Sequence, residues 1–258
     1  MNGKMCKFAT NNHSKNMTMK KFMILALLCT LMGAWSTSAQ AKDYGLWIYG
    51  TLVTDANKND ILGNRLVRYD SESNRLTIAG SMSGKDVFIL SYISMEIYVT
   101  QDVTIKATND VIALYYGNTT ITGPGKLTLT TSSSTGQGIF SYSNTLTIKD
   151  ANVSVSVPSK KCIVGSNNGK EKLIIDNSKL AVTGNVYNYL GGITLKDCVM
   201  DTSYGNRIAE SAIEDKNGFK ADDILILPHK LTNAQRADVN SDGSVDSADI
   251  VAVIREMK

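Results

Sequence analysis

Cysteine and histidine are scarce in this chain of 258 residues, which has four cysteines and two histidines. After the first 41 residues only Cys162, Cys198 and His229 remain. The two cysteines fall at different points of the repeat described below. We therefore expect two small buried side chains rather than a disulfide, and a disulfide is the alternative. His229 follows a predicted strand, a position more typical of a surface side chain than of a metal ligand.

Long apolar runs are also lacking, with one exception near the start. The residues from Met19 to Lys21 are followed by the apolar segment FMILALLCTLMGAW and by small residues at Ala39 and Ala41. This pattern predicts a secretory signal peptide over residues 1–41, in which residues 1–18 are an over-called start. No later run reaches the ~18 residues that a membrane-spanning helix needs. We therefore expect a secreted or cell-surface protein without a membrane span.

Positive charge is deficient once that leader is set aside. Residues 1–41 contain five lysines and no acidic residue, so 22 of the 27 basic residues remain against 24 acidic ones, a net charge of about −2. No run of lysine or arginine is left in this part. The composition therefore argues against a nucleic-acid partner.

A loosely repeated pattern runs from about Leu76 to Ser203. The clear copies are LTIKDANVSVS from Leu146, LIIDNSKLAVT from Leu173 and ITLKDCVMDTS from Ile193; the looser ones are ITGPGKLTLTT from Ile121 and VTIKATNDVIA from Val103. Each copy is an alternating strand, a polar corner and a second alternating strand, which indicates one buried and one wet face. Coils that bury their apolar face by stacking are typical of an all-β, right-handed parallel β-helix, or solenoid.

The three clear copies share a polar corner at Asp150, Asn177 and Asp197, and a small residue follows each of them. Asn and Asp tolerate left-handed backbone and bond their own main chain, so they suit a tight turn. A ladder of carboxylates that binds a cation is the alternative. We favour the turn, since like charges at the ~4.8 Å strand spacing would repel one another.

The pattern divides the chain into a solenoid domain over residues 42–230 and a small module over residues 231–258. Residues 42–80 are expected to cap the first coil, because an open end would expose a sheet edge and apolar core. The segment ADDILILP is expected to form the last strand, ending at Pro228.

The C-terminal module contains a twelve-residue acidic loop, which is followed by the apolar helix pattern IVAVIREM. Its expected calcium ligands are Asp238, Asn240, Asp242, Ser244, Asp246 and Asp249. They occupy loop positions 1, 3, 5, 7, 9 and 12, with Gly243 at position 6 for the sharp turn, as Ca²⁺ requires. The loop and helix resemble one repeat of a type I dockerin, which implies a cohesin-like protein partner. A dockerin has two such repeats and this segment has one.

The remaining segments also carry a resemblance. The stretches NKNDILGNRLVRYDSESNRLTIAGS, GIFSYSNTLTIKD and KLIIDNSKLAVTG look like the secreted β-helical "carbohydrate-binding" domains of Bacteroides-type gut bacteria. The resemblance covers most of residues 44–227. It implies an extracellular role in polysaccharide recognition or utilisation.

Tyrosines recur four to six residues before successive strands of the repeat. They are Tyr98, Tyr115, Tyr116, Tyr142, Tyr187 and Tyr189. Stacking of the coils would align these rings on one face. Pointing outward they would form a platform for sugar rings, which Trp47 could join; pointing inward they would fill the core.

The sequence favours a non-catalytic glycan binder, and two alternatives stay open. Polysaccharide lyases and glycoside hydrolases share the β-helix but need an acidic cluster or paired acids. Here the best acidic pair is Asp197 with Asp201, and the predicted corner lies between them. A structural surface adhesin is the other alternative.

Overall fold

The structure is a computed structural model that describes residues 41–203 and 205–229. These residues are all β, with no α-helix among them. None of the described elements is a helix long and apolar enough to cross a membrane. The expected signal peptide and the calcium module lie outside the described residues.

The described residues form 21 strands. The first eleven are β1 (Asp43–Ile48), β2 (Thr51–Thr54), β3 (Val67–Asp70), β4 (Arg75–Ile78), β5 (Met82–Ser83), β6 (Ile89–Ser91), β7 (Met95–Val99), β8 (Val103–Ala107), β9 (Ile112–Tyr115), β10 (Thr119–Thr122) and β11 (Lys126–Thr131). The others are β12 (Ile139–Tyr142), β13 (Thr145–Lys149), β14 (Asn152–Gly165), β15 (Lys172–Asp176), β16 (Lys179–Tyr187), β17 (Ile193–Lys196), β18 (Cys198–Met200), β19 (Arg207–Ile208), β20 (Ile213–Glu214) and β21 (Asp223–Pro228).

The strands stack into a β-solenoid of about 5 turns with three faces. Face 1 consists of β4, β7, β10, β13, β15 and β17, which pair in parallel. Face 2 consists of β5, β8, β11 and the first parts of β14 and β16. Face 3 consists of β6, β9, β12 and the second parts of β14 and β16. Each of the two long strands thus turns a corner between faces 2 and 3.

Columns of aliphatic side chains fill the interior. On face 1 the register places Leu76, Ile97, Ile121, Ile148 and Ile175 one above another, and none of them is exposed. Face 3 does the same with Ile89, Ile112, Ile139, Ile163 and Val186. Burying each side chain contributes about 1.5–3 kcal/mol, and the neighbouring coils supply the apolar surroundings.

Antiparallel strands cap part of each end of the parallel stack. At the start β1 pairs with β6 and β2 with β1, while β3 pairs with β4. At the other end β21 pairs with both β16 and β18. The predicted last strand ending at Pro228 is therefore confirmed. These caps occupy sheet edges that would otherwise offer unpaired backbone groups.

The repeat alignment needs two corrections. Leu146, Leu173 and Ile193 do align, but Ile121 pairs with Ile148, so that copy is shifted by two residues. Val103 lies on face 2, stacked on Leu127, rather than on face 1. The reason is that strands on faces 1 and 2 show the same alternation, so the pattern alone does not say which face a strand occupies.

The polar corner is confirmed as left-handed backbone. Asp150, Asn177 and Asp197 have φ of 48°, 45° and 47°. The Asn177 amide donates to the Asp150 carboxylate, which joins two of the stacked corners. Gly123, at φ 119°, occupies the same place in the coil before, where an added Cβ would lie 2.3 Å from the carbonyl oxygen of Val99. Close approach of the coils therefore selects the corner residues.

Replacing Asn177 tests this corner. We expect Asn177→Ala to lower the free energy of unfolding by about 1–2 kcal/mol, because alanine resists left-handed backbone. Asn177→Gly is the matched control: it loses the same side-chain hydrogen bond but keeps the permitted backbone, so it should lose less. Urea unfolding measures both, and equal losses would contradict a backbone role.

Candidate functional site

Face 3 carries a column of apolar side chains at the positions that alternate with its inward core residues. The column consists of Trp47, Leu90, Ala113, Phe140, Val164 and Tyr187, each paired with the next across neighbouring strands. Outward positions of a solvated strand are ordinarily polar. Ala113 and Val164 are buried within this column. The other four members are partly exposed, and the core does not explain why they are apolar.

A second set of rings flanks this column and makes it an aromatic surface. We call Trp47, Tyr92, Tyr115, Tyr116, Phe140 and Tyr142 the aromatic platform. The Tyr92 and Tyr115 rings stack with centroids 5.1 Å apart and planes at 19°. Tyr115 lies 5.8 Å from both Phe140 and Tyr142.

The two ends of the platform are closed by edge-on contacts. At one end the Trp47 ring meets Tyr92 at 5.8 Å and 80°, and at the other Tyr116 meets Tyr142 at 5.3 Å and 78°. Offset-stacked and edge-on pairs at such distances support one another by about 0.5–1.5 kcal/mol each. The platform is therefore a continuous surface with a defined shape rather than a scatter of single rings.

The other two faces are mostly polar at the equivalent positions, with Ile174 and Ala181 as the exceptions. Face 1 presents Arg75, Glu96, Thr120, Thr147, Ile174 and Thr194 in register. Face 2 presents Thr104, Thr128, Ser154 and Ala181. The same coils supply all three faces, but the cluster of contacting rings lies on face 3, and face 1 carries the single ring of Tyr98.

The structure brings together three of the six tyrosines that the sequence singled out. Tyr115, Tyr116 and Tyr142 belong to the platform. Tyr187 is on face 3 but two coils further along. Tyr98 lies on face 1, where the Arg75 guanidinium sits 4.9 Å from its ring centroid. The expectation of a single ladder is therefore wrong for Tyr98.

Tyr189 is the other exception, because its side chain is wholly buried. Its hydroxyl bonds Ser141 Oγ at 3.1 Å inside the core. The preceding Asn188 has φ 65°, and this left-handed turn redirects the chain. Tyr189 therefore offers no ring to the surface, and the inward alternative holds for this residue.

Tyr92 and Phe140 were missed by sequence reasoning. Tyr92 stands three residues before its next strand rather than four to six, and Phe140 is within a strand. The usable signal was the alternation within β12, which puts Phe140 opposite the buried Ile139 and Ser141. Trp47, which was considered for a platform, belongs to it.

Tyr116 combines an exposed ring with an unfavourable backbone. Its side chain is 62% exposed and its φ is 65°. A bulky residue in left-handed backbone costs about 1–3 kcal/mol, and such residues cluster at functional sites. Burial does not repay this cost at Tyr116, which suits a residue kept for its ring.

The Tyr115 hydroxyl stays protonated at neutral pH. Burial raises the pKa of Tyr115 above its ordinary value of 10.0, and the neighbouring Tyr92 and Asp110 add to the effect. A neutral phenol both donates and accepts hydrogen bonds. The platform thus pairs apolar ring faces with hydroxyl groups at their edges.

A buried carboxylate fixes the corner beside Tyr142. The side chain of Glu171 is fully buried, and Oε1 accepts hydrogen bonds from the amide of Ser143, at 2.9 Å, and from Ser166 Oγ. Ser143 has φ 58°. Burial alone would raise the pKa of Glu171, but these hydrogen bonds outweigh it and hold the pKa below 4.5. The ionised carboxylate is therefore part of the support of the platform.

Acidic residues do not assemble a second site in the described part of the chain. The chain turns a corner at Asp197, which separates this residue from Asp201. Asp201 Oδ1 accepts a hydrogen bond from the amide of Ser203 at 2.9 Å. Within residues 41–203 and 205–229 no three His, Cys, Asp or Glu side chains come together as metal ligands. The expected ligands Asp238, Asn240, Asp242, Ser244, Asp246 and Asp249 lie outside the described residues. Cys162 and Cys198 are both free thiols.

No protein-family model, curated protein or solved structure matches the chain. Its function is therefore inferred from the side chains of face 3.

Glu171→Gln tests the carboxylate under the platform. Because the folded-state pKa lies below 4.5, the stabilisation is complete above pH 4.5 and is lost as pH falls through the folded value. We expect the variant to be less stable by about 1–2 kcal/mol at pH 7, and the difference to shrink on acidification. Urea unfolding between pH 7 and 3 measures it. The exposed Glu72→Gln is the control, and parallel curves for wild type and Glu171→Gln would contradict the assignment.

Proposed function

We propose that the protein is a secreted, non-catalytic glycan-binding solenoid whose aromatic platform on face 3 stacks against sugar rings. The observation that carries the proposal is the cluster of six contacting aromatic rings on face 3, whereas face 1 carries the single outward ring of Tyr98. Sugar rings have an apolar face and hydroxyl edges, which the ring faces and phenol hydroxyls of tyrosine complement. The stacked Tyr92 and Tyr115, 5.1 Å apart, offer such contacts on successive coils.

The flanking segments complete the proposal from the sequence. Residues 1–41 would direct export, residues 42–230 would form the solenoid, wound in the right-handed sense, and residues 231–258 would bind calcium as a dockerin-like module. Such a module could attach the glycan binder to a cohesin-like protein. The supporting observations are the basic–apolar–small pattern of the leader and the spacing of oxygen-bearing side chains in the terminal loop.

A protein-docking surface is the second candidate, since the partly exposed, apolar Leu90 adds to the platform on face 3. An adhesin would use this column against another protein. It predicts self-association or partner capture without affinity for sugars. Tyrosine suits both kinds of contact, so the affinity for polysaccharides measured below distinguishes the two candidates.

Affinity electrophoresis in xylan, polygalacturonan, mixed-linkage β-glucan and starch tests the proposal. We expect wild-type residues 42–258 to be retarded by at least one of them. Tyr115→Ala and Tyr142→Ala should weaken that binding by about tenfold or more, since 1.4 kcal/mol of lost ring contact is a factor of ten.

Tyr98→Ala is the matched control, because this tyrosine also points outward but lies on face 1. Thermal melting of each variant separates binding loss from unfolding. Equal losses for Tyr98→Ala and Tyr115→Ala, or no retardation of wild type in any of the four gels, would refute binding at the platform.

The calcium module is tested separately. We expect Asp238→Ala combined with Asp242→Ala to abolish calcium binding in titration calorimetry, because it removes two carboxylate ligands of the loop. Far-UV circular dichroism should show an unchanged solenoid, and glycan retardation should persist in EDTA. Loss of the β signal in the double variant would show that the two parts do not fold independently.

A further inference from the structure

A second recess opens on face 3, two coils beyond Phe140. This Tyr187 cleft has a volume of about 610 Å³ and is lined by Asn185, Tyr187, Asn188, Glu214, Phe219 and Lys220, among others. Tyr187 ends the apolar column of face 3, and the ammonium of Lys220 lies 3.6 Å from its ring centroid. The cleft thus combines an aromatic floor with amide and ammonium groups.

Phe219 is presented at the rim of this cleft by a structured turn. The Asp215 carboxylate accepts hydrogen bonds from the amides of Phe219, at 2.9 Å, and Asn217, at 2.8 Å, while Gly218 takes φ 82°. The Phe219 ring is nevertheless 71% exposed. A fixed turn that holds a bare aromatic ring beside a polar recess is typical of a preformed contact for a ligand.

The carboxylates at the cleft are already neutralised. Glu214 pairs with Arg207 at 3.1 Å and Asp222 pairs with Lys160 at 2.6 Å. The described residues show no ion pair for Lys220, whose ammonium can therefore donate to hydroxyl groups of a ligand. The cleft accordingly offers hydrogen-bond donors and acceptors without a strong net field, which suits a polyhydroxylated ligand.

The cleft and the platform lie in one line along the solenoid. In the column Phe140 is followed by the buried Val164 and then by Tyr187. From Tyr92 in the first coil to Tyr187 in the fifth there are four steps, on the order of 19 Å at ~4.8 Å per strand. A linear ligand parallel to the solenoid axis could therefore touch both.

We propose that the Tyr187 cleft is a second subsite for the same glycan and that the ligand is a linear polysaccharide chain lying along face 3. This inference rests on the proposed function and specifies its ligand as an extended chain. Two subsites on one chain raise affinity by making the second contact intramolecular, by about 10²–10⁴ when the geometry permits both. A mono- or disaccharide reaches one subsite, whereas a longer oligosaccharide bridges them.

Titration calorimetry with oligosaccharides of two, four, six and eight sugars tests the bridging. The series is prepared from whichever of the four polysaccharides binds. We expect wild type to bind the octasaccharide about 100-fold more tightly than the disaccharide, at the lower end of the gain for linked sites. Phe219→Ala should remove at least tenfold of that gain and change disaccharide binding less than twofold. Tyr98→Ala should change neither.

Hydrogen exchange gives a readout that does not depend on a variant. The octasaccharide should protect amides in residues 205–220, and the disaccharide should protect the platform alone. Three results would overturn the second subsite while leaving platform binding intact. They are an affinity that does not depend on oligosaccharide length, the same gain in affinity for the octasaccharide in Phe219→Ala as in wild type, and no protection of residues 205–220. Failure of all four polysaccharides to bind wild type would overturn the proposed function and this inference together.

Discussion

Stacking of one coil on the next is the interaction on which the rest of this molecule depends. A single coil has too few apolar side chains to close a core, so Ile97 is buried only because Leu76 and Ile121 lie directly below and above it. The stacking is held in parallel register by backbone hydrogen bonds at a spacing of ~4.8 Å. Every side chain at one position of a coil is thereby placed over its counterpart in the next.

Because of this register, the alternation of inward and outward side chains within each strand produces continuous columns along the solenoid. The inward columns are aliphatic throughout, as packing demands, but nothing in the core dictates what the outward columns carry. Faces 1 and 2 carry mostly hydroxyls and charges, as solvent favours, and face 3 carries the cluster of rings. This departure from the solvent-driven default, with Tyr116 held in a costly backbone conformation, is the basis on which a binding surface is proposed for face 3.

The corners of the coils restrict which residues can occupy them. Coils approach so closely that left-handed residues recur at their edges, as Asp150 and Asn177 do between faces 1 and 2. At the edge between faces 3 and 1 the same demand is met by Tyr116, Ser143 and Asn188, and buried Glu171 anchors the middle one. The aromatic platform thus lies beside a left-handed corner that the buried carboxylate of Glu171 holds in place. The same corner therefore supports the fold and positions the rings.

The amino-acid sequence by itself determined the class of fold, the polar corners and the alternation that separates core from surface. Alternation is a local property of the extended chain, and the preference of Asn and Asp for left-handed backbone is local too. The face on which each strand lies was decided only by the tertiary structure, because faces 1, 2 and 3 share one alternation pattern. Val103 was therefore placed on the wrong face, and Tyr98 in the wrong group.

The aromatic platform belongs to the same category. Its members come from five strands or corners and meet only after the coils stack, so spacing along the chain identified Tyr115 and Tyr142 but not Tyr92 or Phe140. Whether a tyrosine at a corner points out, as Tyr116 does, or in, as Tyr189 does, depends on one backbone dihedral angle beside it and on a partner such as Ser141 waiting in the core. Side-chain direction at a corner is a tertiary property, because it follows from the fit between neighbouring coils.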